Sequence, residues 1–144
     1  QGLLTTRYVD PRDFVYDRHR KADDRPFSGE PGMLLKAEPV ALAIESLGPA
    51  RRLAPDPTGP VFDQSWAKSL SEETHVVFVC GHYEGIDHRA LTALDVEPVS
   101  LGSFVLSGGD VAAAAMADAI ARLVPGVLGD DASLAADSFG DALF

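Results

Sequence analysis

Apolar and polar positions along the chain follow two periods, one typical of strands and one of helices. β-Branched and aromatic runs predict strands at residues 3–9 (LLTTRYV), 75–80 (HVVFVC) and 97–101 (EPVSL), with a weaker one in ARRLAP at 50–55. Helical spacing predicts helices from Pro39 to Gly48, after Asp63, over 86–94 and over 110–123, with Asp63 and Asp110 as caps. Residues 10–33 carry prolines and charges and predict a long loop with one helical turn.

Apolar strands separated by helices predict an α/β fold, with a mostly parallel sheet flanked by helices on both faces. Ligands of such sheets bind at the carboxyl ends of the strands. Glycines and polar residues follow three of the predicted strands, after Leu53, after Cys80 and after Leu101. The sequence therefore predicts a small-molecule site built by these three loops.

The loop GHYEGID at residues 81–87 carries more chemistry than a turn requires, because it places a histidine, a tyrosine and a glutamate between two glycines. His82, Glu84, Asp87 and His88 suggest a metal, but HEXXH and paired cysteines are both missing, so solvated loop charges are the commoner explanation. The stretch LSGGD at 106–110 fits either a phosphate-binding helix start or a plain turn, and both interpretations stay open.

Composition narrows the function classes. The 144 residues carry a net charge of −10, which argues against non-specific nucleic-acid binding. Half of the 12 cations lie in the first 25 residues, so an RNA-binding protein of this sequence would use local basic spots. The single cysteine, Cys80, fits core packing better than catalysis and is consistent with a reducing cytoplasm.

No apolar run approaches the roughly 20 residues of a membrane span. Because the chain starts at Gln1, we expect a fragment of a longer protein.

Several segments, in order, are similar to the bacterial tRNA (guanine-N1)-methyltransferases of the trefoil-knotted SPOUT class. They are GLL, PRDFVYDRHRKADDRP, PGML, GHYEGID, LGSFVLSGGD, ARLVPGVLG and DSF, and together they extend from about Gly2 to Leu143. The resemblance implies a deep trefoil knot, S-adenosyl-L-methionine as cofactor and tRNA as substrate, methylated at the guanine on the 3′ side of the anticodon. It also implies a homodimer with a shared active site in the cytoplasm. Mg²⁺ as an additional cofactor is left open.

The resemblance also implies roles for individual residues. Asp137 matches the general base, Arg122 a basic residue beside the guanine, and Glu84 an acid that holds the guanine. From the residues alone, a surface position for Asp137 and a favourable helix-end position for Arg122 are the simpler explanations. The cofactor-binding set implied by the resemblance is Leu53, Pro55, Gly81, Tyr83, Leu101, Gly102, Ser103, Phe104, Val105, Leu106, Gly108 and Gly109.

The same resemblance sets the domain expectation. Residues 1–130 would form the knotted catalytic domain and residues 131–144 the start of a linker, without the first strand and the tRNA-binding C-terminal domain of the family. His82 stands where the family usually has arginine, and the 50–60 segment differs in charge and length. These departures motivate an alternative hypothesis, a truncated or degenerate knot domain that binds cofactor or a protein partner without catalysis.

Overall fold

A three-stranded parallel sheet organises the computed structural model, which describes residues 3–26, 31–82 and 84–127. The strand order is β4-β3-β5, with β3 (Arg51–Pro55) between β4 (Val76–Phe78) and β5 (Glu97–Val99). Leu53 pairs with Phe78 on one side and with Glu97 on the other. The predicted parallel sheet is therefore confirmed, and the strand with the weakest sequence pattern is its centre.

Helices cover both faces of this sheet, as predicted for an α/β fold. Successive residues of a strand point to opposite faces, so Leu53 and Ala54 of β3 belong to two different apolar clusters. Leu53 packs with residues of α2 (Gln64–Ser71) and α4 (Gly109–Arg122), whereas Ala54 packs with residues of α1 (Ala37–Glu45) and α3 (His88–Ala93). The buried side chains of the first cluster are Leu53, Ala67, Leu70, Val99, Ala112, Met116 and Ile120.

The helix starts follow the predictions in part. The carboxylate of Asp63 caps α2 by accepting a hydrogen bond from the backbone N–H of Trp66 at 2.8 Å, as predicted. Helix α1 begins at Ala37, so Pro39 is its third residue and not its first. The predicted cap of α4 by Asp110 is wrong, because Gly108 is the N-cap and provides no side-chain hydrogen bond. A tertiary contact replaces the cap, since the N–H of Gly109 donates to the carbonyl of Gly81 at 2.9 Å.

The predicted strand at residues 3–9 is wrong. Within the described residues this segment forms no ladder with another strand, and Tyr8 is 93% exposed. A β-branched, aromatic pattern becomes a strand only where a neighbouring strand accepts its hydrogen bonds. The long loop that follows contains the predicted helical turn, a 3-10 helix at Pro11–Phe14.

A second, small sheet pairs β1 (Asp23–Asp24) with β2 (Leu34–Leu35) in antiparallel register. None of the described helices has the length and hydropathy to cross a bilayer. The predicted domain boundary at residue 130 and the tail at 131–144 lie outside the described residues.

Candidate functional site

The loops after β3 and β4 meet the first turn of α4 at Gly109. A Cβ on Gly109 would lie 3.2 Å from the Cα of Cys80, 3.3 Å from the N of Gly81 and 3.4 Å from the Cβ of Pro55. Two of these three neighbours are backbone atoms, which cannot turn aside as a side chain can. The helix therefore approaches the carboxyl edge of the sheet this closely only because residue 109 is glycine.

The segments GHYEGID and LSGGD are also joined by backbone contacts. His82 and Gly108 form an antiparallel bridge, one residue on either side of the hydrogen bond between Gly109 and Gly81. Two motifs that are 26 residues apart in the sequence are thus held side by side. Sequence reasoning predicted that the loops would gather at the same edge, and the structure brings them together there.

The loop that follows β5 is held through Ser100, a residue that sequence reasoning did not single out. Ser100 is 4% exposed, and its hydroxyl accepts from the N–H of Gly102 at 3.1 Å and donates to the carbonyl of Gly102 at 3.0 Å. Its backbone N–H donates to the carbonyl of Pro60, and its carbonyl accepts from Phe62. Ser100 therefore connects the loop after β5 to the loop after β3. A polar residue at the end of an apolar strand was the only available signal.

The 101–106 loop presents apolar side chains outward. Phe104 is 54% exposed, Val105 82% and Leu106 39%. Next to them in the sequence, the first turn of α4 exposes Val111 at 60%. Three successive exposed apolar residues beside a glycine-built helix start form a surface suited to an apolar ligand or a partner.

Leu53, which precedes the loop after β3, lies inside the core. Its side chain is fully buried and its carbonyl accepts from the N–H of Val79 at 2.8 Å. Pro55 is the last residue of β3 and lies against Gly109. Beyond it, the N–H of Asp56 donates to the carbonyl of Val99 at 2.9 Å, which directs the loop along the edge of the sheet.

Glu84 is positioned by a segment distant in sequence, residues 32–35. The N–H of Glu84 donates to the carbonyl of Met33 at 3.1 Å, and the N–H of Leu35 donates to the carbonyl of Gly85 at 3.1 Å. Gly32 has φ +124°, and a Cβ on it would lie 2.4 Å from the Cγ of Glu84. The PGML segment is therefore part of the site, because Met33 holds the backbone of Glu84 and Gly32 leaves the space that the Glu84 side chain occupies. Tyr83 lies outside the described residues.

The loop ends at Asp87, which caps α3. Its carboxylate accepts from the backbone N–H of Arg89 at 3.0 Å and from the guanidinium Nη2 at 2.6 Å. The side-chain hydrogen bond from Arg89 is the main reason why the pKa of Asp87 lies below its ordinary value, although burial acts in the opposite direction.

We expect Asp87→Ala to destabilise the domain by about 1–2 kcal/mol, because the substitution removes a helix cap. Asp87→Asn, the matched control, keeps one capping oxygen but loses the charge and the second oxygen that accepts from the Arg89 guanidinium. The pKa of Asp87 is lower in the folded state than in the unfolded chain, where it is about 4. The charged carboxylate therefore stabilises the fold at pH values above about 4. This stabilisation is lost as the pH falls through the pKa of the folded state. Urea unfolding followed by the fluorescence of Trp66 would measure this. The pH dependence would be contradicted if the difference in the free energy of unfolding between wild type and Asp87→Asn stayed constant from pH 7 down to about pH 3.

Cys80 behaves as a packing residue. Burial raises the pKa of its thiol, and the negative charge of Asp110 raises it further. A thiol that stays protonated is a poor nucleophile. In the part of the chain that the structure describes, no three His, Cys, Asp or Glu side chains are grouped as metal ligands.

Arg122 lies far from the loops within one chain. Gly109 is the first and Arg122 the last residue of α4, so 13 helical steps separate them. At 1.5 Å per residue this is about 20 Å along the axis, beyond the reach of an arginine side chain. The structure thus brings Glu84, Gly81, Gly108 and Gly109 into one region and leaves Arg122 at the other end of the helix. Asp137 lies outside the described residues.

These features define a class: an α/β domain in which loops at the carboxyl edge of a parallel sheet gather around the glycine-built start of a helix. Within that class, the chain belongs to the tRNA (guanine-1)-methyltransferase TrmD family, whose family model matches residues 1–144. It is 44% identical over 145 residues to a tRNA (guanine-N(1)-)-methyltransferase of Carboxydothermus hydrogenoformans, with 99% of this chain and 57% of the relative aligned.

Two further relatives carry the same name. The protein of Paenarthrobacter aurescens is 47% identical over 152 residues, with 99% of this chain and 57% of the relative covered. That of Lacticaseibacillus paracasei is 47% identical over 146 residues, with 98% and 57% covered. The chain thus spans 57% of the length of these curated relatives. The family predicted from the sequence motifs is confirmed.

Proposed function

We propose that this chain supplies the cofactor- and guanine-binding part of an S-adenosyl-L-methionine-dependent methyltransferase that modifies N1 of the guanine on the 3′ side of the anticodon in tRNA. The observation that carries the proposal is the contact of Pro55, Cys80 and Gly81 with Gly109. It joins GHYEGID and LSGGD, two of the segments that the chain shares with the family, into one site. The relatives named above are tRNA (guanine-N(1)-)-methyltransferases, which supports the reaction class.

The loops fit the proposed cofactor. Adenine and the methionine chain are recognised by apolar surface and backbone hydrogen bonds, and the 101–106 loop offers exposed apolar side chains beside glycine backbone. In the proposed knot, this loop, Gly81, Tyr83, Gly108, Gly109 and Pro55 would hold the cofactor, while Leu53 would support them from the core. When bound, S-adenosyl-L-methionine supplies an electrophilic methyl group on a sulfonium sulfur.

The residues of the chain would prepare the guanine for attack. N1 of guanine carries a proton, so a base must remove that proton before the nitrogen becomes nucleophilic, and Asp137 is the proposed base. Glu84 would accept hydrogen bonds from the N–H groups of the guanine, in the position fixed by Gly32 and Met33. Negative charge that develops on O6 would be stabilised by the guanidinium of Arg122.

Arg122 can serve this chemistry only from a second subunit, because about 20 Å of helix separates it from Gly109 in its own chain. We therefore propose a homodimer in which Arg122 and Asp137 complete the site of the partner across a two-fold interface. Val111 is exposed on the first turn of α4, outside the 101–106 loop assigned to the cofactor, and such a partner would bury it.

Methyl transfer to defined tRNA transcripts tests the proposed function. The natural protein that carries this sequence is expected to add a single methyl group, at N1 of the guanine next to the anticodon, as mapped by nuclease digestion and mass spectrometry. A transcript with adenine at that position is the matched control and should remain unmodified. Binding of S-adenosylhomocysteine without any methyl transfer would instead support the non-catalytic alternative.

A further inference from the structure

Ser100 directly follows β5 and holds two loops of the candidate site in two different ways. Its backbone holds the loop after β3, because its N–H donates to the carbonyl of Pro60 at 2.8 Å and its carbonyl accepts from the N–H of Phe62 at 2.8 Å. Gly59 of the same loop packs so closely that a Cβ on it would lie 2.7 Å from the carbonyl carbon of Pro98. These backbone contacts of the loop after β3 do not depend on the Ser100 side chain.

The Ser100 side chain acts on the other loop, residues 101–106. Its hydroxyl accepts from the N–H of Gly102 at 3.1 Å and donates to the carbonyl of the same residue at 3.0 Å. Gly102 has φ +155°, a conformation that residues with a side chain rarely adopt. One hydroxyl thus binds both polar backbone groups of a single glycine, which fixes the orientation of that glycine.

Gly102 in turn supports Phe104. The N–H of Phe104 donates to the carbonyl of Gly102 at 2.9 Å. The ring of Phe104 packs back onto the glycine, since a Cβ on Gly102 would lie 3.0 Å from the Cε1 of that ring. The same carbonyl accepts from the Ser100 hydroxyl, so the hydroxyl fixes the point on which the backbone and the ring of Phe104 rest.

The Ser100 side chain acts on a ligand only through this loop. Ser100 is 4% exposed, and its hydroxyl already donates to and accepts from Gly102. A loop that is held in its binding conformation loses less conformational entropy when a ligand binds. We propose that Ser100 is a positioning residue for the cofactor, whose hydroxyl keeps residues 101–106 in the conformation that receives S-adenosyl-L-methionine. This assignment rests on the proposed function for the identity of the ligand.

Ser100→Ala in the natural protein that carries this sequence tests the assignment. The substitution removes the hydroxyl and adds no volume, while the backbone hydrogen bonds of residue 100 to Pro60 and Phe62 remain. The free loop is then expected to populate several conformations, and the apparent Kd rises as the fraction of the binding conformation falls. We expect the affinity for S-adenosylhomocysteine, measured by calorimetry, to fall about tenfold.

Hydrogen exchange gives a second measurement that does not require activity. Amides in the peptide that covers residues 101–106 should exchange faster in free Ser100→Ala than in free wild type. Bound S-adenosylhomocysteine should restore their protection to the wild-type level, because the ligand then holds the loop in place of the hydroxyl.

Ser46→Ala is the matched control, since it also removes a serine hydroxyl that bonds to the backbone. The hydroxyl of Ser46 donates to the carbonyl of Ala43 at 2.7 Å, at the end of α1. Because α1 ends before β3 begins, Ser46 lies at the amino edge of the sheet, opposite to the loops of the site. The control should bind S-adenosylhomocysteine as wild type does and should leave exchange in residues 101–106 unchanged.

Each outcome decides the assignment separately from the methylation reaction. Weaker binding and faster loop exchange that are confined to Ser100→Ala support it, even if the wild type methylates no tRNA and the proposed function fails. If Ser100→Ala bound the ligand as Ser46→Ala does, the assignment would be overturned and the proposed function would stand. Unchanged exchange in residues 101–106 would also overturn it. A wild-type protein that binds no S-adenosylhomocysteine would overturn both the assignment and the proposed cofactor.

Discussion

Replacing Gly109 by valine is expected to abolish the binding of S-adenosylhomocysteine while leaving the domain folded. Even a Cβ at this position meets the Cα of Cys80 at 3.2 Å and the N of Gly81 at 3.3 Å, and valine adds two methyl groups beyond it. The helix start must then move away from both strand loops, because backbone cannot rotate out of the way. We expect the loss of stability to be about 1–3 kcal/mol, typical of overpacking, and the loss of ligand affinity to be at least about 100-fold.

Isothermal calorimetry with S-adenosylhomocysteine, together with urea unfolding, would separate the two effects. Ala114→Val is the matched control, since Ala114 lies exposed on the same helix and its substitution adds the same β-branched side chain without touching the loops. The control should bind the ligand normally. Affinity close to wild type in Gly109→Val would remove the start of α4 from the cofactor site.

Activity should reappear when two inactive subunits are combined. A Gly109→Val subunit has a blocked loop region but an intact Arg122, whereas an Arg122→Ala subunit has intact loops and no guanidinium. Each homodimer is expected to lose at least about 100-fold in kcat/KM, because either cofactor binding or stabilisation of charge on the guanine is missing. In the mixed dimer, the intact loops of one subunit face the intact Arg122 of the other, so one complete site forms.

Methyl transfer by a purified, differently tagged heterodimer would measure this recovery. The expected rate is about half that of wild type, since one of two sites is complete. The mixture of the two homodimers, without subunit exchange, provides the baseline. An inactive heterodimer of normal size would show that Arg122 does not act across the interface, and the role proposed for it would have to be reassigned.

The sequence predicted the elements that depend on local patterns. Asp63 and the apolar spacing of Trp66 and Leu70 specify α2 through residues that are neighbours along the chain. The motif string likewise identified the family, because several short segments in fixed order are far more specific than any one of them. In contrast, the 3–9 segment has a strand-like pattern without a partner in the described residues, and a local pattern cannot reveal that.

The candidate site was predictable in its loops and unpredictable in its contacts. The strands were predicted to be parallel, and ligands of parallel sheets bind at the carboxyl ends of the strands. The glycine-rich loops were therefore expected to share one edge of the sheet. The contacts depend on segments that are far apart in the sequence. Ser100 joins two of these loops through hydrogen bonds, and Met33 and Gly32 position Glu84 from a distant segment. No periodicity or composition encodes such a contact.

By itself, the sequence determined the class of fold, the family and which residues carry reactive groups, because these depend on residue type and order. The tertiary structure decided their distances. It placed Gly109 against Cys80 and Gly81 and separated Arg122 from them by the length of α4. It also brought the Nζ of Lys36 to the backbone carbonyl of Lys21 across 15 residues of chain. The physical reason is that packing a helix on a sheet fixes which loops touch, and those contacts form between groups that the chain order keeps apart.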